Sequence, residues 1–155
     1  MAVLSKPLLG VRAAETDDDQ FVLELAAEAF REYDPSSSLT TLRMLREPNA
    51  KTLIATRDVA PVGFAILDPR SQRSWAINAI AVAPAERGKG VGQRLMREAE
   101  HQARTRGVAC LTLCTAQANL AALDLFLRLG FVITDRHAVR YWGRQPACLL
   151  EKRLA

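Results

Sequence analysis

The chain has 155 residues, of which 25% are charged and 49% hydrophobic, and its length and composition predict one globular domain over residues 1–155. No apolar run approaches the ~20 residues that span a bilayer, the N-terminus lacks the pattern of a secretory signal, and the three cysteines lack metal-ligand spacing. We therefore expect a cytoplasmic protein with no membrane segment and no metal.

The net charge of +4 divides unevenly along the chain. Residues 1–50 carry −4 (five Lys/Arg and nine Asp/Glu), and residues 51–155 carry +8 (sixteen Lys/Arg and eight Asp/Glu). The basic portion is either a solvated surface or a site for a polyanion, but no arginine-rich block favours nucleic acid.

Hydrophobic periodicity predicts elements in the order β-α-α-β-β-β-α-β-α-β-β. Thr16 is a candidate helix N-cap with Asp19 three positions on, Asn119 is a second, and Gly107 and Gly130 are placed to end two helices. The predicted strands are 8–15, 52–57, 62–67, 75–82, 109–114, 131–141 and 147–153, and the predicted helices are 17–32, 38–46, 90–106 and 120–129.

The middle β-α-β unit implies one parallel strand pair with a right-handed crossover. The hairpins on either side of it imply antiparallel neighbours. We therefore predict an α/β fold (α+β in some classifications), with a mixed sheet of six to seven strands and helices on both faces.

A glycine-rich segment, Arg87-Gly88-Lys89-Gly90-Val91-Gly92, lies between a predicted strand and a predicted helix. Glycines there permit positive φ angles and a close approach to a ligand, and the first N–H groups of a helix lack intrahelical partners and lie at its positive end. Such a turn can bind a pyrophosphate, with Arg87 and Lys89 adding charge; the alternative is a tight turn without a ligand. No hydroxyl follows Lys89-Gly90, which excludes a Walker A loop, and Gln93 stands where the Rossmann pattern needs its third glycine.

This segment resembles the cofactor motif of the GNAT superfamily of N-acetyltransferases, Arg/Gln-x-x-Gly-x-Gly/Ala. Asn119 and the stretch 121–131, which ends in Leu129-Gly130-Phe131, resemble the second motif of that superfamily, N-x-x-A-x-x-L-Y-x-x-x-G-F. The two motifs occur in the family's order and at its spacing. The resemblance implies an acyl-CoA N-acyltransferase fold and acetyl-CoA (CoA) as co-substrate.

The resemblance also implies which residues bind the cofactor. Main-chain N–H groups of about residues 88–93 would bind the CoA pyrophosphate, and the edge of the fourth strand would pair with the pantetheine arm. The N–H of Val82 would polarise the thioester carbonyl and stabilise the oxyanion. The implied cofactor-binding residues are Ile80, Val82, Arg87, Gly88, Lys89, Gly90, Val91, Gly92, Gln93, Asn119, Phe126 and Arg128.

The two usual proton-handling residues of such enzymes are absent from the sequence. Phe126 stands at the position of the tyrosine acid, and Cys114 stands where N-terminal acetyltransferases of the superfamily often carry a glutamate. Tyr141 is a candidate acid, although a packed tyrosine is the alternative. Asn78 is a candidate for holding a water that carries the amine proton, and His137 titrates in a useful range. Proximity by itself can also suffice when the amine arrives neutral.

We therefore predict an enzyme that transfers acetyl from CoA to a primary amine, on a small molecule or on a protein, with the small molecule favoured. Phe126 motivates the alternative of a non-catalytic acetyl-CoA-binding sensor or partner module. A nucleic-acid-binding protein is the third hypothesis, which the charge pattern does not favour, and we expect neither a nucleic-acid nor a membrane partner. Apolar edge strands and the aromatic pair Tyr141-Trp142 make a homodimer possible.

Overall fold

A computed structural model of the protein describes residues 7–69, 71–137, 140–141 and 145–154, with the backbone alone for residues 140, 141 and 145. The helices are α1 (Asp19–Phe30), α2 (Ser37–Leu45), α3 (Val91–Thr105) and α4 (Leu120–Arg128). The strands are β1 (Leu9–Ala13), β2 (Lys51–Arg57), β3 (Ala60–Asp68), β4 (Ser74–Val82), β5 (Cys110–Ala116), β6 (Val132–Asp135), β7 (Arg140–Tyr141) and β8 (Gln145–Arg153). Short 3₁₀ turns at Thr16–Asp18 and Pro84–Glu86 precede α1 and α3.

The strands form one mixed sheet in the order β1-β2-β3-β4-β5-β8-β6, with β7 paired to β8 beside it. β4 and β5 are parallel, and every other pairing in the sheet is antiparallel. Because α3 connects β4 to β5 as a crossover, it must pack on one face of the sheet. The predicted fold class and element order are confirmed.

Helices cover both faces of this sheet. On one face, α3 buries Val91, Leu95, Ala99 and Ala103, which recur at four-residue steps, against strand residues such as Leu111. On the other face, α1 packs Val22, Leu25 and Ala26 against a second cluster that includes Ile54, Phe64 and Ile66. Among the described residues, no helix is both long and apolar enough to cross a membrane.

Two details of the prediction are wrong. The capping box is formed by Glu15 and Asp18, and not by Thr16 and Asp19, and it caps the 3₁₀ turn before α1. The α-helix itself begins after this turn, at Asp19. The strand predicted over 131–141 is divided into β6 and β7, since the Asp135 carboxylate accepts a hydrogen bond from the His137 N–H at 2.7 Å and turns the chain.

Other local predictions are confirmed. Asn119 caps α4, because its Oδ1 accepts a hydrogen bond from the Ala122 N–H at 3.2 Å. Gly107 and Gly130 follow the last turns of α3 and α4 with φ angles of 71° and 94°. Only glycine adopts such angles without strain, which is why the two helices end there.

Candidate functional site

The parallel strands β4 and β5 separate in the middle of the sheet. Their pairing ends at Ile77↔Leu113, although β4 continues to Val82 and β5 to Ala116. β4 stays paired to β3 as far as Val82, and β5 stays paired to β8 as far as Ala116. The two strand edges that face each other beyond Ile77 are therefore not hydrogen-bonded to one another.

A β-bulge at Asn78 lies where the strands separate. In the β3–β4 pairing, Ile66 faces Ala79 and Leu67 faces Ile77, so Asn78 has no opposite residue on β3. A bulge bends its strand and increases the local twist. The bulge thus gives a local reason for β4 to turn away from β5 at this residue.

The peptide groups at the end of β4 are directed into the gap. The Ala83 N–H donates to the Val62 carbonyl of β3 at 2.8 Å. Since successive peptide groups in a strand alternate in direction, the N–H and C=O groups of Val82 and Ile80 point away from β3. The Arg87 Nε confirms this direction for Val82, because it donates to the Val82 carbonyl at 3.0 Å from that side.

The glycine loop (residues 87–93) runs from the end of β4 into α3. Gly88 and Gly90 have φ angles of 74° and 86°, and a Cβ added at either residue would meet no atom within 4 Å. None of the main-chain N–H groups of residues 88–93 makes a geometrically good hydrogen bond to a described protein acceptor. The first N–H of α3 that does so is that of Arg94, which donates to the Gly90 carbonyl at 3.0 Å. The loop therefore presents six consecutive N–H donors at the positive end of a helix.

All of these residues except Lys89, together with the open edge of β4, border one cavity of about 630 Å³, which we call the main cavity. A pocket of this size lies in the range that holds a small molecule or cofactor. Lys89 and Asn119 are not among its lining residues. Ten of the twelve residues predicted to bind a cofactor line it: Ile80, Val82, Arg87, Gly88, Gly90, Val91, Gly92, Gln93, Phe126 and Arg128.

A second space of about 40 Å³, which we call the inner crevice, lies between the separated strands. Ile80 and Phe126 line both spaces, so the crevice adjoins the main cavity. Asn78 and Cys114 also line the crevice. The sequence analysis therefore singled out four residues that line the crevice: Asn78, Ile80, Cys114 and Phe126.

The inner crevice is mainly apolar. Phe126 is 3% exposed, and its ring packs edge-on against Phe131 with centroids 5.9 Å apart. Burial raises the pKa of the Cys114 thiol above its ordinary value, and the nearby Cys148 raises it further. Cys114 is therefore a neutral thiol at pH 7 and not a thiolate nucleophile.

Charged side chains around the main cavity are engaged in ion pairs. Arg87 binds the Glu28 carboxylate of α1 at 2.6 Å, and Arg128 binds Asp124 one turn earlier in α4 at 3.1 Å. Glu86 pairs with Arg57 at 3.0 Å, a hydrogen bond that lowers the pKa of the Glu86 carboxyl. Each of the two cationic side chains that line the cavity thus has a carboxylate partner. A bound anion would have to displace that carboxylate.

Other candidate residues are placed elsewhere or lie outside the description. His137 is exposed, lies within hydrogen-bonding distance of Gln117 at 2.9 Å, and lines neither space. The Tyr141 backbone pairs with Gln145, while its side chain and Trp142 lie outside the described residues.

Sequence reasoning missed the last turn of α1. Ala29 lines the main cavity and Phe30 lines the inner crevice, although the sequence analysis had placed both residues only within the helix predicted over 17–32. No signal in the local sequence distinguishes a residue that lines a cavity from one in the core. The packing of α1 across the end of β4 makes that distinction.

The arrangement can hold an extended molecule with a diphosphate. Six N–H donors at a helix N-terminus suit phosphate oxygens, and an unpaired strand edge suits an arm with amide groups. The inner crevice, which Ile80 lines, is where the far end of such an arm would lie. This combination of sheet topology and site defines the class of acyl-CoA N-acyltransferases.

The model of the Acetyltransferase (GNAT) family matches residues 19–131 of the chain, and the chain belongs to this family. The chain is 34% identical over 102 residues to a streptothricin acetyltransferase of Streptomyces lavendulae, covering 63% of this chain and 52% of that protein. It is 30% identical over 118 residues to an L-2,4-diaminobutyric acid acetyltransferase of Nocardia farcinica, covering 75% and 61%. The chain thus spans about half to three fifths of the length of these two relatives.

Solved structures share the fold. The crystal structure of Ard1 from Thermoplasma volcanium superposes with a TM-score of 0.82 at 23% identity, over 95% of this chain and 98% of that one. The PaiA N-acetyltransferase of Thermoplasma acidophilum, crystallised in complex with coenzyme A, superposes with a TM-score of 0.78 at 18% identity, over 94% and 99%. At these identities the likeness establishes the fold alone.

Proposed function

We propose that this protein is an acetyl-CoA-dependent N-acetyltransferase that transfers acetyl to a primary amine of a small molecule. The observation that carries the proposal is the row of six N–H groups at residues 88–93 without an acceptor among the described residues, five of whose residues line a cavity that the end of β4 also lines. Membership of the acetyltransferase family supports the reaction type. The coenzyme A complex of PaiA supports the co-substrate, and the relatives named for streptothricin and L-2,4-diaminobutyric acid support a small-molecule acceptor.

In this proposal the glycine loop holds the diphosphate through its main-chain N–H groups. Gly88 and Gly90 suit this role because their open φ angles turn the peptides outward without a Cβ in the way. The Ile80 and Val82 peptides, which point away from β3, bind the amide groups of the pantetheine arm as an added strand would. The side chains of Lys89 and Asn119, which lie outside the cavity lining, have no assigned role in this arrangement.

The chemistry depends on Val82 and the inner crevice. The Val82 N–H donates to the thioester carbonyl oxygen, where negative charge develops as the amine attacks; one such donor contributes about 3 kcal/mol. Asn78 binds a water that passes the proton of the attacking nitrogen to bulk solvent. As the tetrahedral adduct collapses, the C–S bond breaks and CoA leaves as a thiolate that takes a proton from solvent. The apolar lining around Phe126 favours the neutral form of the amine, since burial disfavours a charged ammonium.

A thiol-release assay with acetyl-CoA and a panel of primary amines tests this function directly. We expect free thiol to appear with at least one small amine, and the product to carry one added acetyl group by mass. Calorimetry with CoA, run in parallel, separates two kinds of failure. CoA binding with no turnover on any amine would favour the acetyl-CoA-binding module, whereas no heat with CoA would reject the cofactor site itself.

A further inference from the structure

The last turn of α1 connects the glycine loop to the two spaces of the site. Glu28 binds the Arg87 Nη2 at 2.6 Å, the next residue, Ala29, lines the main cavity, and Phe30 lines the inner crevice. Glu28 is therefore the carboxylate by which α1 contacts the loop that we propose binds the diphosphate.

Arg87 makes two contacts at the mouth of the main cavity. Its Nη2 binds Glu28, and its Nε binds the Val82 carbonyl at 3.0 Å. That carbonyl faces the gap beside β4, where an amide N–H of the pantetheine arm would need an acceptor. The guanidinium therefore occupies an acceptor on the strand edge while it neutralises the carboxylate of α1.

The Glu28–Arg87 pair is open to exchange. The two side chains are 45% and 48% exposed, and ion pairs in water at this exposure are weak. A diphosphate bound by residues 88–93 lies next to Arg87 in the chain, and guanidinium groups bind phosphate oxygens more strongly than they bind screened carboxylates. A diphosphate and Glu28 thus compete for one cation.

We propose that cofactor binding transfers Arg87 from Glu28 to the diphosphate, and that the released Glu28 carboxylate then binds a second positive charge on the acceptor, which is a diamine or polyamine. This inference rests on the proposed function and deepens it, because it assigns an acceptor class and a specificity-determining residue. The exchange also frees the Val82 carbonyl for the pantetheine arm. Cofactor and cationic acceptor therefore bind with positive coupling, the cofactor first.

The charge around α1 suits such an acceptor. Glu24 and Glu32 are exposed on or next to α1 together with Glu28, and residues 1–50 carry a net charge of −4. An acidic surface beside the crevice raises the local concentration of a polycation. Glu28 differs from its acidic neighbours in its contact with the glycine loop, and only this contact couples the acceptor to the cofactor.

A double-mutant cycle on CoA binding tests the exchange. The dissociation constant is measured by calorimetry for the wild type, Glu28→Gln, Arg87→Gln and the double variant; glutamine at 87 is the other residue of the family motif. We expect Glu28→Gln to tighten CoA binding by roughly 5-fold in the wild-type background and to leave it unchanged in the Arg87→Gln background. Glu24→Gln removes the same charge one turn earlier and should change the constant less than about twofold.

The cycle separates competition from the general field of the carboxylate. If Glu28→Gln tightens CoA binding equally in both backgrounds, the effect is that of charge removal, and the exchange is wrong. Unchanged or weaker CoA binding in Glu28→Gln also overturns it. Failure of the wild type to bind CoA would instead reject the proposed function.

The acceptor class is tested with two amines of equal chain length, 1,4-diaminobutane and 1-aminobutane. We expect the wild type to acetylate the diamine with the higher kcat/KM, and Glu28→Gln to lose about tenfold of this preference for the diamine over the monoamine, through the KM of the diamine. Equal preference in both proteins, or turnover of neither amine by a wild type that binds CoA, contradicts this acceptor class. Melting temperatures without ligand verify that each variant is folded.

Discussion

At the scale of single residues, the site depends on backbone conformations that most side chains avoid. Gly88 and Gly90 both have positive φ, and no atom lies within 4 Å of a Cβ added there. The constraint on these positions is therefore the backbone angle and the space left for a ligand, not packing against the protein. Any other residue would cost roughly 1 kcal/mol in conformational energy and place a side chain in the main cavity.

Gly90→Asp should abolish CoA binding with a folded protein, because its side chain blocks the approach to the N–H groups and its charge repels the diphosphate. Gly107→Asp is the matched control, since Gly107 also has positive φ and open surroundings but lies at the opposite end of α3. Calorimetry should show no heat with CoA for the first variant and near wild-type affinity for the second. Wild-type affinity in Gly90→Asp would count against the loop as the diphosphate site.

Phe126→Tyr should accelerate acetyl transfer. The Phe126 ring lines both the main cavity and the inner crevice, so a hydroxyl on it can reach the departing sulfur and donate a proton. General acid catalysis of this kind contributes on the order of 100-fold at full effect, and we expect about tenfold in kcat from an unoptimised position. Steady-state kinetics measure this change in kcat. The control is Phe131→Tyr, which changes the other ring of the pair and should not gain activity.

At the scale of elements, the site is a consequence of how β4 is held. β3 pairs with β4 from Ala76 to Val82, the bulge at Asn78 turns β4 away from β5, and α3 packs across the end of β4. Gly63 on β3 is closely packed, since a Cβ there would lie 3.0 Å from the Ala81 carbonyl oxygen and 3.2 Å from Val91. The absence of a side chain at this residue allows β3, β4 and α3 to meet.

Gly63→Ala should therefore destabilise the protein by about 1–3 kcal/mol, the usual cost of adding a methyl group to a well-packed core against backbone. Gly10→Ala on β1 is the control, because its added Cβ would be in ordinary contact, 3.5 Å from the Thr56 Oγ1. Urea unfolding gives both free energies. Equal stability of the two variants would mean that β4 and α3 can move apart at little cost.

At the scale of the whole molecule, charges tie the helices to the sheet. Arg12 of β1 binds Asp18 through two hydrogen bonds of 2.6 and 2.9 Å, which lower the pKa of the Asp18 carboxyl. Burial raises the pKa of Glu100 on α3, but hydrogen bonds from Lys152 and Arg104 outweigh it and the net pKa is lowered. A carboxyl with a lowered folded pKa stabilises the fold above its unfolded pKa, and this stabilisation is lost as pH falls through the folded value.

Asp18→Asn should lower stability at pH 7 by about 1–3 kcal/mol, because Arg12 loses a charged partner that is 6% exposed. The difference from the wild type should narrow as the pH falls below about 4, the ordinary pKa of aspartate, because the unfolded wild-type carboxyl is protonated there and the folded one, whose pKa is lowered, is protonated at still lower pH. Urea unfolding at pH 7, 5, 4 and 3 measures it, with the exposed neighbour Asp17→Asn as control. A difference independent of pH would assign the effect to packing and not to the ion pair.

At this scale the structure also shows where the acidic and basic portions of the sequence lie relative to the sheet. The acidic residues 1–50 include α1 and α2, which cover one face of the sheet, whereas α3 and α4 of the basic portion cover the other. The main cavity lies where the two meet, with Ala29 on one side and α3 and α4 on the other. A polyanionic cofactor and a cationic acceptor can thus approach from surfaces of opposite charge.

The sequence by itself determined the elements, their order and the glycine loop, because these depend on local periodicity, on caps such as Asn119, and on residues such as Gly90 that permit particular φ angles. Only the tertiary structure decided where β4 leaves β5, that α1 lines the cavity, and that Glu28 binds Arg87. These features join residues tens of positions apart, such as the pair at 28 and 87, and no local pattern records which distant side chain will fill a given space. The cap was therefore predicted at Thr16 and not at Glu15, and the break after Asp135 was not predicted. At both places a single hydrogen bond selects among neighbouring positions that the sequence leaves nearly equal.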